Sequence, residues 1–119
     1  MTAALSLDVE RKLYAVWPSQ AEQATASALL QGYGSSGGQL EPDRVRLALI
    51  KLSQGSLEEL QALIERATLD YRDVLLWAEY PEESKASHLV RADLGEAERK
   101  ELRAIRTRDR QQYEAWLRG

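Results

Sequence analysis

The stretch PDRVRLALIKLSQG, residues 42–55, decides the fold because it reads as a helix with a defined start and end. Pro42 suits a first helical turn, where its missing N–H costs nothing, and Asp43 favours the positive end of the helix dipole. Gly55 closes the segment. Apolar residues cover so much of its circumference that we expect the 42–54 helix to be the central, most buried one: Val45, Leu47, Ala48, Leu49, Ile50 and Leu52.

Helical periodicity continues on both sides of this helix. Upstream, predicted helices span residues 7–17 and 19–30, separated by Pro18. Downstream, a capping box at Ser56 opens a long helix over residues 56–80 that Pro81 stops, and a last helix covers residues 94–117. No segment alternates apolar and polar residues as a half-buried strand does. The sequence therefore predicts an all-α chain, a compact single-domain bundle (residues 1–119) of about five helices.

Two segments read as connections between these helices. Residues 32–40 contain four of the seven glycines and two serines, which is typical of a flexible linker. Residues 82–94 mix charged residues, serines and His88 without sustained periodicity. We expect this second segment to be an exposed connection.

The composition excludes several classes of protein. Of the 119 residues, 44% are hydrophobic and 29% are charged, which excludes wholesale disorder, and the net charge is −3. The absence of cysteine excludes disulfides and thiolate nucleophiles, and one histidine excludes most histidine-rich metal centres. No apolar run approaches the ~20 residues that span a bilayer. We expect a cytoplasmic protein with no membrane partner, no metal and no cofactor.

Catalytic motifs are weak, and we predict no catalytic residue. The G-x-G-x-x-G match at residues 32–37 follows a helix rather than a strand, so it indicates a helix stop instead of a dinucleotide site. His88 lies near Ser84 and Ser87, but nothing in the pattern orients it as a general base. An enzyme would need one concave pocket that gathers four residues with acid–base or hydrogen-bonding side chains: Asp70, Tyr71, Asp73 and Asp109.

The densest mixture of polar and aromatic side chains lies at the end of the long predicted helix. Asp70 and Asp73 are three residues apart and so are expected to share a helix face. Aromatic, arginine and carboxylate groups close together are typical of binding hot spots. The alternative is structural: either aspartate pairs with an arginine or caps a neighbouring helix end, and Trp77 fills the core. We predict a partner-binding surface here: Asp70, Arg72, Asp73, Trp77, Glu79 and Tyr80.

Asp109 falls on the otherwise apolar face of the last helix. A buried carboxylate needs a partner because an unpaired charge is costly in the interior. We predict a structural polar clamp in which Arg72, Arg46 or a helix N-terminus satisfies Asp109; a ligand-binding acid is the alternative.

Four arginines of the last helix are spaced four, three and four residues apart and form one stripe: Arg99, Arg103, Arg106 and Arg110. Residues 99–110 contain six basic and two acidic side chains. Such a stripe is a possible anion-binding site that can track phosphates. The alternative is a solvated face whose arginines pair with Glu58, Glu59 or Glu65.

Three segments resemble a family of small bacterial proteins without an assigned activity: EPDRVRLALIKLSQG at residues 41–55, DYRDVLLWAEYP at 70–81 and DRQQYEAWL at 109–117. The resemblance covers residues 41–81 and 109–117. It implies a cytosolic helical domain, and it assigns no catalytic residue or cofactor.

Together these patterns favour a non-catalytic protein–protein interaction or regulatory module. Its partner would be an unidentified protein or a second copy of the chain, with the oligomeric state left open. The alternative is nucleic-acid or phosphate binding through the arginine stripe, which the negative net charge makes less favoured.

Overall fold

The structure, a computed structural model, describes residues 5–34, 41–85 and 95–119. Its helices are α1 Leu7–Val16, α2 Gln20–Gly32, α3 Pro42–Ser53, α4 Leu57–Glu79, α5 Pro81–Lys85 and α6 Glu96–Arg118. The described residues contain no strand, which confirms the all-α class, with six helices where about five were predicted. None of these helices is both long and apolar enough to cross a bilayer.

The contacts gather into two compact units, Met1–Leu75 and Leu76–Gly119. In the first unit α1 packs against α2 and α3, and in the second α5 packs against α6. Each unit is built from its own local signals and core residues.

Side-chain caps start the first two helices. The Ser6 hydroxyl accepts a hydrogen bond from the Val9 amide (3.3 Å), which sets the start of α1. The Ser19 hydroxyl accepts from the Glu22 amide (3.1 Å) and donates to the Glu22 carboxylate (2.9 Å), which sets the start of α2. Pro18 lies between the helices, so both boundaries follow from sequence chemistry.

The α3 helix supplies a large part of the first unit's core, as its broad apolar surface predicted. The side chains of Val45, Ala48, Leu49 and Ile50 are fully buried. Trp17, also fully buried, donates its indole N–H to the Gly55 carbonyl just beyond α3 (3.1 Å). This hydrogen bond satisfies the one polar atom of the indole while the ring contributes its large apolar area.

A buried arginine joins the end of α2 to α3. Arg46 is 1% exposed, and its guanidinium donates from Nε to the Leu30 carbonyl (2.9 Å) and from Nη2 to the Tyr33 carbonyl (2.6 Å). A third donor, Nη1, pairs with the Asp43 carboxylate (3.4 Å). The charged side chain therefore adds a second donor to the Leu30 carbonyl, which also accepts from the Tyr33 amide (3.2 Å), and supplies a donor to the Tyr33 carbonyl just beyond α2.

After α2 the backbone at Gly34 passes too close to Pro42 to leave room for a side chain. Gly34 has φ +94°, and a Cβ added there would lie 2.7 Å from the Pro42 Cβ. Gly32 belongs to α2 and Tyr33 is 1% exposed, so the predicted linker over residues 32–40 begins too early. Burial of Tyr33 between the two helix ends is the physical reason, and residues 35–40 lie outside the described part of the chain.

The α4 helix is interrupted at Asp70, where the backbone is extended (φ −155°, ψ 100°). The Asp70 carboxylate accepts a hydrogen bond from the Arg72 amide (3.0 Å), as an N-cap residue does. The sequence predicted that Asp70 and Asp73 share one helix face. Because the backbone at Asp70 is extended, they do not share one continuous helix face. Asp70 instead starts the second half of α4.

The segment predicted as an exposed connection with one short turn, residues 82–94, begins within a short helix. Pro81 does not merely end α4; it opens the short helix α5, because proline tolerates a first helical position. The rest of that segment, including His88 in residues 86–94, lies outside the described residues.

Replacing Arg46 by methionine should lower the free energy of unfolding by about 3 kcal/mol, because the charge-assisted hydrogen bonds to the Leu30 and Tyr33 carbonyls are lost. Arg44→Met is the matched control on the same helix, since the Arg44–Glu41 pair (2.9 Å) is half exposed and such pairs contribute less than about 1 kcal/mol. Urea denaturation measures both, and equal losses would contradict the role given to Arg46.

Candidate functional site

Charged residues flank the break in α4. The Asp70 carboxylate accepts from Nε (3.1 Å) and Nη2 (3.3 Å) of Arg72, in addition to the Arg72 amide. Arg66 before the break pairs with Asp73 after it (3.2 Å). The Arg72 side-chain hydrogen bonds, followed by the backbone one, hold the pKa of Asp70 below its usual value. Asp70 is therefore both a helix cap and half of an ion pair.

A cavity of about 300 Å³ opens beside this break. Leu69 at its edge is 81% exposed, whereas Tyr33 in its lining is 1% exposed. Burial is the main cause of the raised pKa of Tyr33. We call this region the break surface, and its lining residues are Tyr33, Ala67, Thr68, Leu69, Asp70, Tyr71 and Arg72.

The break surface does not assemble the constellation expected of an enzyme. Of the four residues required, Asp70 and Tyr71 line the cavity, whereas Asp73 and Asp109 do not. A general base works best with a pKa near the operating pH, but the pKa of Asp70 is lowered by Arg72. Within the described ranges no group of three or more histidine, aspartate or glutamate side chains is placed to hold a metal ion.

The other predicted partner-binding residues belong to the second unit. Glu79 is 2% exposed, so its side chain is not available to a partner. Trp77 and Tyr80 are half-buried. The six residues predicted as one surface therefore contribute differently: Asp70, Arg72 and Asp73 lie at the break in the first unit, and Tyr80 borders a second cavity.

Asp109 is 1% exposed and lies at the N-terminus of α5. Its carboxylate accepts hydrogen bonds from the amides of Glu82 (3.2 Å) and Glu83 (2.9 Å). The preceding Pro81 has no N–H, and the Ser84 amide donates to the Tyr80 carbonyl (2.9 Å). Of the three partners considered for Asp109, the structure places the helix N-terminus against it, where the dipole favours a negative charge.

The arginines of α6 surround the second cavity, about 360 Å³ in volume. Arg106 donates from Nε to both carboxylate oxygens of Glu83 (3.1 and 3.2 Å), with a further Nη2 bond, and this pairing raises the pKa of Arg106. Arg110 pairs with Glu114 (3.1 Å). We call this region the arginine cavity, lined by Tyr80, Arg103, Arg106, Thr107, Arg110 and Gln111.

Three of the four arginines of the predicted stripe thus share one cavity, and Arg99 does not line it. The ion pairs formed by Arg106 and Arg110 involve Glu83 and Glu114, whereas the sequence suggested Glu58, Glu59 or Glu65. Local chain direction explains the difference: Glu114 is one helical turn from Arg110, and Glu83 is carried by α5, which packs on α6.

Neither protein-family models, nor curated proteins, nor solved structures give a match to this chain. The family resemblance of residues 41–81 and 109–117 stays a prediction. The break surface and the arginine cavity are the candidate functional sites.

Sequence patterns assigned no functional role to two residues that line these cavities, Tyr33 and Leu69. Tyr33 fell in the predicted linker, where nothing local marks it, and the one signal available for Leu69 was an isolated leucine outside the apolar stripe of α4. Tyr80 was predicted as a partner-binding residue, but with Asp70 and Arg72 rather than with the arginines that it lines a cavity with.

Asp109→Ala should lower the free energy of unfolding by about 2–3 kcal/mol, because two amides lose a charged acceptor. Asp109→Asn should lose less, since one oxygen still accepts. Hydrogen exchange should show lost protection at the Glu82 and Glu83 amides. Glu114→Ala removes an exposed carboxylate from the same helix and is the control; unchanged protection in Asp109→Ala would contradict the capping role.

Asp70 should add acid sensitivity to the first unit. Its folded pKa is lowered, so its contribution is complete above the unfolded value of about 4 and is lost as the pH falls through the folded pKa. Asp70→Asn keeps a cap oxygen but removes the titration. Urea midpoints measured from neutral to acidic pH should fall more steeply in the parent chain than in Asp70→Asn, and parallel curves would contradict this account.

Proposed function

We propose that the chain is a non-catalytic interaction module that binds a protein partner through the break surface. The observation that carries this proposal is Leu69, 81% exposed beside a cavity of about 300 Å³. The cavity also includes two tyrosines, Tyr33 and Tyr71. An exposed aliphatic side chain next to an aromatic-lined cavity offers a partner apolar contact at the centre of an interface.

The charges near the break surface are paired, so binding there is expected to depend on apolar contacts more than on long-range charge attraction. Asp70 and Arg72 are paired with each other, and Arg66 is paired with Asp73, so the four charges cancel. A partner gains little from long-range attraction to such a surface. We therefore expect association that changes little with salt and depends on the burial of Leu69.

The ion pair also provides directional contacts. The Arg72 side chain remains 77% exposed while it bonds Asp70, so guanidinium donors are still open to a partner. Pairing limits the rotamers of this long side chain, which lowers the entropy lost on binding. Arginine at the edge of an apolar contact is a common hot-spot residue.

The proposal extends to location and partner type. The lack of cysteine in the sequence supports a cytoplasmic setting, where thiols are reduced and disulfides are rare. The partner is a protein with an apolar or aromatic anchor that fits beside Leu69, and a second copy of the chain is one such partner to be tested.

The test is affinity capture with paired variants. Leu69→Gln should reduce the recovered partner at least about tenfold, because hot-spot truncations cost about 2 kcal/mol or more. Leu7→Gln is the matched control, since Leu7 is 84% exposed on α1 and does not line the cavity. Circular dichroism checks that both variants stay folded. Equal recovery with Leu69→Gln and Leu7→Gln would reject the break surface.

A further inference from the structure

The arginine cavity contains Arg103, which has no ion pair among the described residues, beside Arg106 and Arg110, which pair with Glu83 and Glu114. Residues 99–110 contain six basic and two acidic side chains. One of those acids, Asp109, is buried on the α5 amides. The side chain of Glu83, which pairs with Arg106, is 11% exposed. Because Arg106 and Arg110 are both paired, the three arginines and two glutamates leave one positive charge, at Arg103, although the chain carries −3.

The guanidinium groups differ in how they are held. Arg106 is fixed by its bidentate contact with Glu83, so its plane is oriented before a ligand arrives. Arg103 has no ion pair with any residue in the described ranges and is open to a new anion. Spacing of three and four residues places Arg103, Arg106 and Arg110 on the same side of α6. A phosphate in the cavity would meet both a fixed and a free guanidinium.

Tyr80 gives the cavity an aromatic wall. Its backbone is anchored on both sides: its amide donates to the Leu76 carbonyl (2.9 Å), and its carbonyl accepts from the Ser84 amide (2.9 Å). Its side chain is half-buried and lines the cavity beside the arginines. Aromatic rings next to basic residues are the platforms on which unpaired bases stack.

We propose that the arginine cavity binds one nucleotide unit, with the base against the Tyr80 ring and the phosphate at Arg103 and Arg106. The volume of about 360 Å³ lies at the small end of the range for ligand sites, which suits one unit. The same chemistry is present in a free nucleotide and in a single strand of nucleic acid. This inference does not depend on the break surface, which lies in the other unit.

The probes are a fluorescein-labelled single-stranded oligothymidine, followed by fluorescence anisotropy, and unlabelled AMP as competitor. Neutralisation of one phosphate gives a salt slope of about −0.7, so affinity should fall about two- to threefold between about 50 and 200 mM salt. Displacement by AMP identifies a free nucleotide as sufficient, whereas its failure identifies the strand as the ligand. Absence of binding at low salt overturns the proposal.

Variants separate the cavity from general attraction to a basic helix. Arg103→Ala should weaken binding about tenfold, whereas Arg99→Ala, a control one turn away and outside the cavity, should change it less than about twofold. Tyr80→Ala should weaken binding at least about fivefold and Tyr80→Phe should retain it, since stacking uses the ring. Equal effects of Arg99→Ala and Arg103→Ala, or no effect of Tyr80→Ala, would overturn the proposal.

Discussion

The buried guanidinium of Arg46 is the constraint on which the first unit depends. A charge in the interior is tolerated when every strong donor finds an acceptor, and Arg46 reaches the carbonyls of Leu30 and Tyr33 as well as Asp43. Those acceptors exist because α2 ends where it does. The end of α2, the turn at Gly34 and the depth of α3 in the core are therefore one arrangement, and changing any one of them disturbs the others.

In the second unit a buried negative side chain lies at a helix N-terminus, whereas in the first unit the buried positive side chain lies at a helix C-terminus. Asp109 accepts from the first amides of α5, whereas Arg46 donates to the last carbonyls of α2. Both arrangements place a buried side chain where the helix dipole favours its sign. The effect reaches the arginine cavity, because fixing α5 also fixes Glu83, which orients Arg106. Asp109 does not line the arginine cavity, yet through α5 and Glu83 it affects the orientation of Arg106 there.

The sequence predicted most of the helices because periodicity, proline and capping serines act over a few residues. It missed the break in α4, since the apolar spacing of Ala67 and Val74 continues past Asp70 and conceals a cap that competes with the helix. Burial of Asp109 was readable from its apolar face, but its partner was not, because 26 residues or more separate it from Glu83 and Glu82. Helical spacing was enough to place the arginines in one stripe. Tyr80 is distant from them in sequence, so its position beside them could be seen only in the tertiary structure.

The long separation between α5 and its cap has a consequence for protein synthesis. Five residues are too few to form a stable helix in water without tertiary contacts. On the ribosome, Glu82 is made 27 residues before Asp109. The α5 amides therefore cannot reach their acceptor until Asp109 has been synthesised, whereas Arg46, which joins α2 to α3, is translated early.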